Sequence, residues 1–188
     1  DPERSRFLFS VVGALLGAGA MGVLLLFMRR LGVSFRAAVA WTLVTAFCTL
    51  WWPAAVSTFD QVQHGFFLLV ALFGAWQGAV RRSITLLVLG GLAGGLLIDF
   101  AESYGVLLPL VGLAALTPAD PDEPRGAALR RYLIFGAACA VGLGLWMGFN
   151  QWRFGSPWLS GRGVSLGEVT SGAPPHPTFG NPLIGALG

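Results

Sequence analysis

Asp60 and His64 stand four residues apart, the spacing that puts two side chains on one face of a helix. The pair joins a carboxylate able to accept a proton to an imidazole that exchanges one near neutral pH, so both are candidate catalytic residues. The plainer reading makes Asp60 a helix cap, which accounts for Asp60 but not for His64. Asp99 and Glu102, three apart, could hold a divalent cation, orient an acceptor hydroxyl, or only solvate a tight turn between two apolar segments, and solvation is the more economical role. Further along, Asn150 and Arg153 sit where an aromatic, apolar run ends, and Arg162 lies between two glycines. A guanidinium matches phosphate oxygens as a two-pronged fork, so Arg153 reads either as a phosphate ligand or as an interfacial anchor. Gly161-Arg162-Gly163 lacks the Gly-Lys-Ser/Thr ending of a nucleotide phosphate loop. No His-Glu-x-x-His, Gly-x-Ser-x-Gly or Cys/His cluster occurs, so metalloprotease, serine-hydrolase and zinc chemistry have no support, and the one cofactor the residues suggest is a divalent cation.

The elements that must position these residues are apolar to an unusual degree. Of 188 residues, 55% are hydrophobic and 11% charged, a balance that excludes an ordinary water-soluble globule. Mean hydropathy is +0.70. The charges cluster and divide the chain into six apolar stretches, about 7–28, 37–56, 63–80, 83–98, 103–119 and 132–152. Their lengths approach that of a bilayer span, and their pattern is not the alternation of a barrel strand. The expected fold class is therefore all-α: a polytopic transmembrane bundle of about six helices over 1–152, followed by an outer loop and the start of a further apolar element over 153–188. Pro109 is expected to kink the fifth helix.

Twelve basic residues against nine acids give a net charge of +3, too small and scattered for a nucleic-acid surface. All twelve are arginine, and eight of them (29, 30, 36, 81, 82, 125, 130 and 131) fall in alternate loops, which the positive-inside rule makes cytoplasmic. Both ends of the chain, and every candidate site residue, then face outward from the membrane. Small residues recur at four-residue spacing, among them Gly74 and Gly78, Gly90 and Gly94, Gly91 and Gly95, and Gly136, Ala140, Gly144 and Gly148. They are expected to let helices approach closely. Cys48 and Cys139 lie within apolar segments and read as small hydrophobes.

Three segments carry a family resemblance. Arg29-Arg30-Leu31-Gly32-Val33-Ser34, with Arg36-Ala37-Ala38, resembles a cytoplasmic corner of bacterial polytopic GT-C glycosyltransferases, the group that includes protein O-mannosyltransferases and lipid A aminoarabinose transferase. Thr49-Leu50-Trp51-Trp52-Pro53, then Ser57-Thr58-Phe59-Asp60-Gln61, is similar to their outer loop, with Gln61 in place of that loop's glutamate and Ala54 in place of a tyrosine. Phe149-Asn150-Gln151-Trp152-Arg153-Phe154-Gly155-Ser156-Pro157, with Gly161 and 179–185, resembles the family's exit segment, with Arg162 where a tyrosine is usual.

The resemblance implies a polyprenyl-phosphate-linked sugar as donor, transferred on the outer face to a lipid, glycan or protein acceptor. It also implies a bacterial plasma membrane, whose lipids would surround the protein. On that reading Gln61, Asp99, Glu102, Asn150, Arg153 and Arg162 are candidate substrate-binding residues. The family's principal base lies in the first outer loop. That loop is expected upstream of Asp1, so the chain is expected to be a piece of a longer protein. A transporter or flippase, for which ionisable groups near the midplane would be required, and a non-catalytic membrane scaffold are the competing readings.

Overall fold

In a computed structural model the chain is described over residues 2–55, 61–100 and 104–157, the side chains of 2–9, 99, 100 and 154 excepted. Seven α-helices occur among them: α1 (Pro2–Arg30), α2 (Phe35–Phe47), α3 (Trp51–Ala55), α4 (Gln61–Val80), α5 (Ile84–Phe100), α6 (Tyr104–Gly112) and α7 (Arg125–Phe154), with a 3-10 turn at Leu113–Leu116.

The all-α class stands, but the expectation of six membrane helices is overturned. Two helices, within α1 at Ser10–Arg30 and within α7 at Arg125–Arg153, are long and apolar enough to cross a membrane. The other apolar stretches are broken, short or more polar. The stretch expected at 37–56 divides into α2, of 13 residues, and α3, of 5. At 1.5 Å per residue α2 covers only about 20 Å, against a hydrocarbon core of about 30 Å. The stretch at 103–119 becomes the nine-residue α6, containing Pro109, and then tightens into the 3-10 turn. Pro109 cannot donate to the Gly105 carbonyl and crowds that preceding turn, which weakens the helix there. The 17-residue α5 spans about 25 Å. In the 20-residue α4, Gln61, Gln63, His64 and Gln77 dilute the apolar run.

The helices are stacked through small residues. The Cα of Gly90 lies 2.7 Å from where a Cβ on Gly74 would stand, and the Cα of Gly142 lies 2.8 Å from that position on Gly95. Backbones thus touch directly, which only residues without bulk allow. These contacts make α4 and α5 antiparallel and α5 and α7 parallel. Phe27 packs on Phe73 and Trp76 at 5.8 and 5.3 Å between ring centroids, while Gly17 meets Val62, so α1 runs parallel to α4. On α7 the packing face is Phe135, Ala138, Cys139 and Gly142, whereas Gly136, Gly144 and Gly148 have open space beside them. The expected stripe on α7 is therefore the wrong one of two interleaved rows.

Burial is distributed in an inside-out manner. The buried apolar positions are mostly alanines, such as Ala71, Ala75, Ala79, Ala115 and Ala138. Large side chains point outward: Val11, Val12, Leu15 and Leu26 on α1, and Leu129, Leu133, Val141, Leu145, Phe149 and Trp152 on α7. Only 17% of the apolar window of α1 and 22% of that of α7 is buried, whereas the core helix of a soluble domain would be mostly covered.

Candidate functional sites at the two ends of the bundle

The helix directions give the bundle two dissimilar ends. At one, the α1–α2, α4–α5 and 117–124 connections meet, carrying the arginines. At the other lie α3, the start of α4 and the ends of α5 and α7.

The basic end is built from tight reversals. Val33 N–H bonds to the Met28 carbonyl and Gly32 N–H to the Arg29 carbonyl, closing α1 with Gly32 in the left-handed region (φ 87°). The Arg29 guanidinium then donates to the Val33 carbonyl (2.8 Å) and lies over the Phe35 ring, while the Ser34 hydroxyl accepts from Ala37 N–H to start α2. α4 ends in the same way, with Ser83 N–H on the Gly78 carbonyl, but here the left-handed residue is Arg82 (φ 52°). A side chain in that conformation costs roughly 1–2 kcal/mol. Arg82 spends it on reach: its guanidinium pairs with Asp120 and lies 3.8 Å from Glu123.

Arg131 anchors this end. It is 6% exposed, and its guanidinium donates to Glu123 at 2.5 and 2.9 Å, to the Ala115 carbonyl at 3.2 Å and to the Thr117 carbonyl at 3.0 Å. Glu123 also accepts from Ala119 N–H at 2.9 Å. One arginine thereby ties the 3-10 turn and the whole 117–124 loop to α7. The hydrogen bond from Arg131, then that from Ala119, holds the Glu123 carboxyl far below its ordinary 4.5, at about 2. Sequence alone marks Arg131 as a topology residue and does not reveal Glu123. The two are eight residues apart across a proline-rich loop, a separation that no helical spacing rule connects.

The opposite end holds most of the sequence-derived candidates. Asp60, Glu102 and Arg162 lie outside the described residues, as does the side chain of Asp99. Gln61 is the first residue of α4 and is exposed on the wall of a groove of about 720 Å³, with Thr49, Leu50, Trp51, Pro53 and Val62. Among the described residues the groove wall is almost wholly apolar, and the one hydroxyl there is engaged: Thr49 Oγ1 donates to the Thr45 carbonyl and accepts from Trp51 N–H. Trp51 is held by its indole N–H on the Gly17 carbonyl (3.4 Å), and its ring covers Gly65.

His64 does not share a solvent face with the groove. It is buried, 8% exposed, and meets the Tyr104 ring edge-on at 5.3 Å, joining α4 to α6. Asn150 is 2% exposed and its amide donates to the Pro157 carbonyl at 3.5 Å, folding the segment after α7 back onto the helix. Arg153 is exposed, with its guanidinium 5.8 Å over the Phe149 ring. Among the described residues no group of three or more His, Cys, Asp or Glu side chains is placed to hold a metal ion. Both cysteines are free thiols. No family model, no curated protein and no solved structure matches the chain.

Proposed function

We propose that the protein sits in a lipid bilayer and that the groove at the α3–α4 end receives the hydrocarbon chain of a polyprenyl-phosphate sugar, whose sugar is passed to an acceptor at that face. The observation carrying this reading is the groove itself: an apolar channel of about 720 Å³ with Gln61 as the exposed amide side chain among the described residues of its wall. Such a lining suits a lipid tail and rejects a polar metabolite. The outward display of large apolar side chains on α1 and α7 supports the bilayer, since exposed apolar surface on this scale is the mark of a membrane-facing protein.

The sugar phosphate is already a good leaving group, so transfer asks for a carboxylate to take the acceptor proton and a cation to steady the phosphate. Asp60 directly precedes Gln61 in the chain and is the candidate for the first task; Arg153 is the candidate for the second. The similarity of the Thr49–Pro53 and Phe149–Pro157 segments to lipid-sugar transferases points the same way. Transport is less favoured, because the buried polar side chains His64, Gln77, Arg131 and Asn150 stand near helix ends, and the fifth, Thr42, is engaged by the Ala38 carbonyl of its own helix, so they form no relay through the middle of the described bundle.

The test is photolabelling of the full chain in nanodiscs with a benzophenone-bearing polyprenyl phosphate. Labels should concentrate between residues 49 and 62, and Ala54→Trp, which puts a bulky side chain into the groove from a half-buried position on its wall, should remove them. Labelling spread evenly over the α7 surface in both proteins would end the groove reading. With labelled polyprenyl-phosphate sugars, Asp60→Asn should lower transfer by roughly a hundredfold or more while membrane insertion is unchanged.

A further inference from the structure

We propose that the basic end carries a second lipid site, a cavity that binds the phosphate headgroup of an anionic phospholipid. The cavity, about 560 Å³, lies between α5 and the first turns of α7. Three arginines, Arg82, Arg130 and Arg131, line it together with a single glutamate, Glu123. Their roles differ. Arg131 is consumed by Glu123 and two carbonyls, so it forms a wall. Arg82 is shared with Asp120 and Glu123 and keeps its side chain 58% exposed. Arg130 is exposed and makes no hydrogen bond or ion pair among the described residues, leaving its whole guanidinium fork for a ligand. A phosphodiester engages such a fork through two parallel bonds, and an anionic lipid, unlike phosphatidylcholine, brings no quaternary ammonium for the neighbouring Arg82 to repel.

The remaining wall identifies the rest of the ligand. Ile84, Leu87 and Ile134 line the same cavity, so the site is cationic on one side and apolar on the other. A free phosphate gains nothing from that apolar side, whereas an acyl chain attached to the phosphate does. Gly126 lines the cavity as well, with open space where a Cβ would be. It stands in the first turn of α7, where the backbone N–H has no intrahelical acceptor and favours an anion. The level also fits. α7 is one of the two helices long enough to cross a bilayer, and its arginine-bearing start is where such a helix leaves the hydrocarbon. Basic pockets between helices at that depth are suited to anionic headgroups. The site rests on the bilayer reading above but not on sugar transfer.

The experiment places the full chain in nanodiscs of phosphatidylcholine containing a minority of phosphatidylglycerol with the same acyl chains, and counts retained lipids by native mass spectrometry after gentle transfer to detergent. Phosphatidylglycerol should be retained about tenfold over its share of the disc, the scale of one charge-assisted contact. Arg130→Gln should bring retention to parity. Arg36→Gln, which removes the same charge from an exposed position at the start of α2, should leave it unchanged, and millimolar inorganic phosphate should not displace the lipid. Absence of enrichment, an equal loss in both variants, or displacement by inorganic phosphate overturns the proposal. Failure of the chain to enter nanodiscs defeats the bilayer reading and this site together; insertion without enrichment defeats the site alone.

Discussion

The three helices α4, α5 and α7 and the flank made by α1, α2 and α3 are assembled by different means. In the trio, glycines bring main chains into direct contact, Gly74 against Gly90 and Gly95 against Gly142. On the flank, aromatic side chains act as spacers: Phe27 fits between Phe73 and Trp76, and Trp51 lies over Gly65. Contact between backbones tolerates no added volume, while contact through side-chain tips accommodates by rotamer change. The difference teaches where the molecule is brittle.

The largest effect should come from Gly95→Leu, which thrusts a branched side chain into the main chain of α7. It should cost more than about 3 kcal/mol or abolish the fold, read as lost monodisperse protein or a lowered thermal transition in detergent. If Gly95→Leu melts like the parent, the distinction between the two regions fails. Arg131→Met comes next. It keeps the length of the side chain but strips Glu123 and the Ala115 and Thr117 carbonyls of their donor, so the thermal transition should fall and protease should cut within 117–124. An uncut loop would mean that it is held by something other than this arginine.

Acid gives a gentler version of the same test. The Glu123 carboxyl has its pKa lowered on folding from 4.5 to about 2, so its stabilising contribution is complete above pH 4.5 and fades as pH falls towards 2. Amide exchange in 117–124 should therefore speed up on going from pH 5 to pH 3, after correction for intrinsic rates, while the Phe27 contact on the flank should not respond. Phe27→Ala should cost about 1.5 kcal/mol, the worth of a partly buried aromatic pair, and should loosen α1 without disturbing α5 or α7. The smallest change is expected from Gly22→Ala. Nothing lies within 4 Å of the added methyl, so better helix propensity alone should stabilise the protein, by up to about 1 kcal/mol. A loss of stability there would show that α1 has a close neighbour as well.

Helical character was legible because every apolar stretch lacks strand alternation, but α7 begins at Arg125, so Arg125, Arg130 and Arg131 stand in a helix where the sequence reading expects a loop. The number of bilayer-length helices was not legible, because composition is continuous where the backbone is not. Nothing apolar distinguishes residues 48–50 from their surroundings, yet α2 ends there when Thr49 turns its hydroxyl to the Trp51 amide. Spacing also located small residues without saying which row faces a partner, since Gly136 and Ala138 are equally small and only the second is covered. At the sites, Gln61 was legible as a residue at the mouth of a helix, and the groove beside it was not, because a cavity depends on how α3 folds back over α4. The pairing of Glu123 with Arg131 was hidden for the same reason: a reversing loop, rather than periodicity, brings them together.

Arg82 occupies a backbone conformation that Gly32 adopts without strain at the equivalent turn of α1. A glycine at position 82 would make the reversal easier to form and would cut the tether to Asp120. The turn as it stands thus trades ease of folding for a fixed latch, and a chain carrying Arg82→Gly should close its α4–α5 hairpin sooner while leaving the neighbouring loop freer to swing.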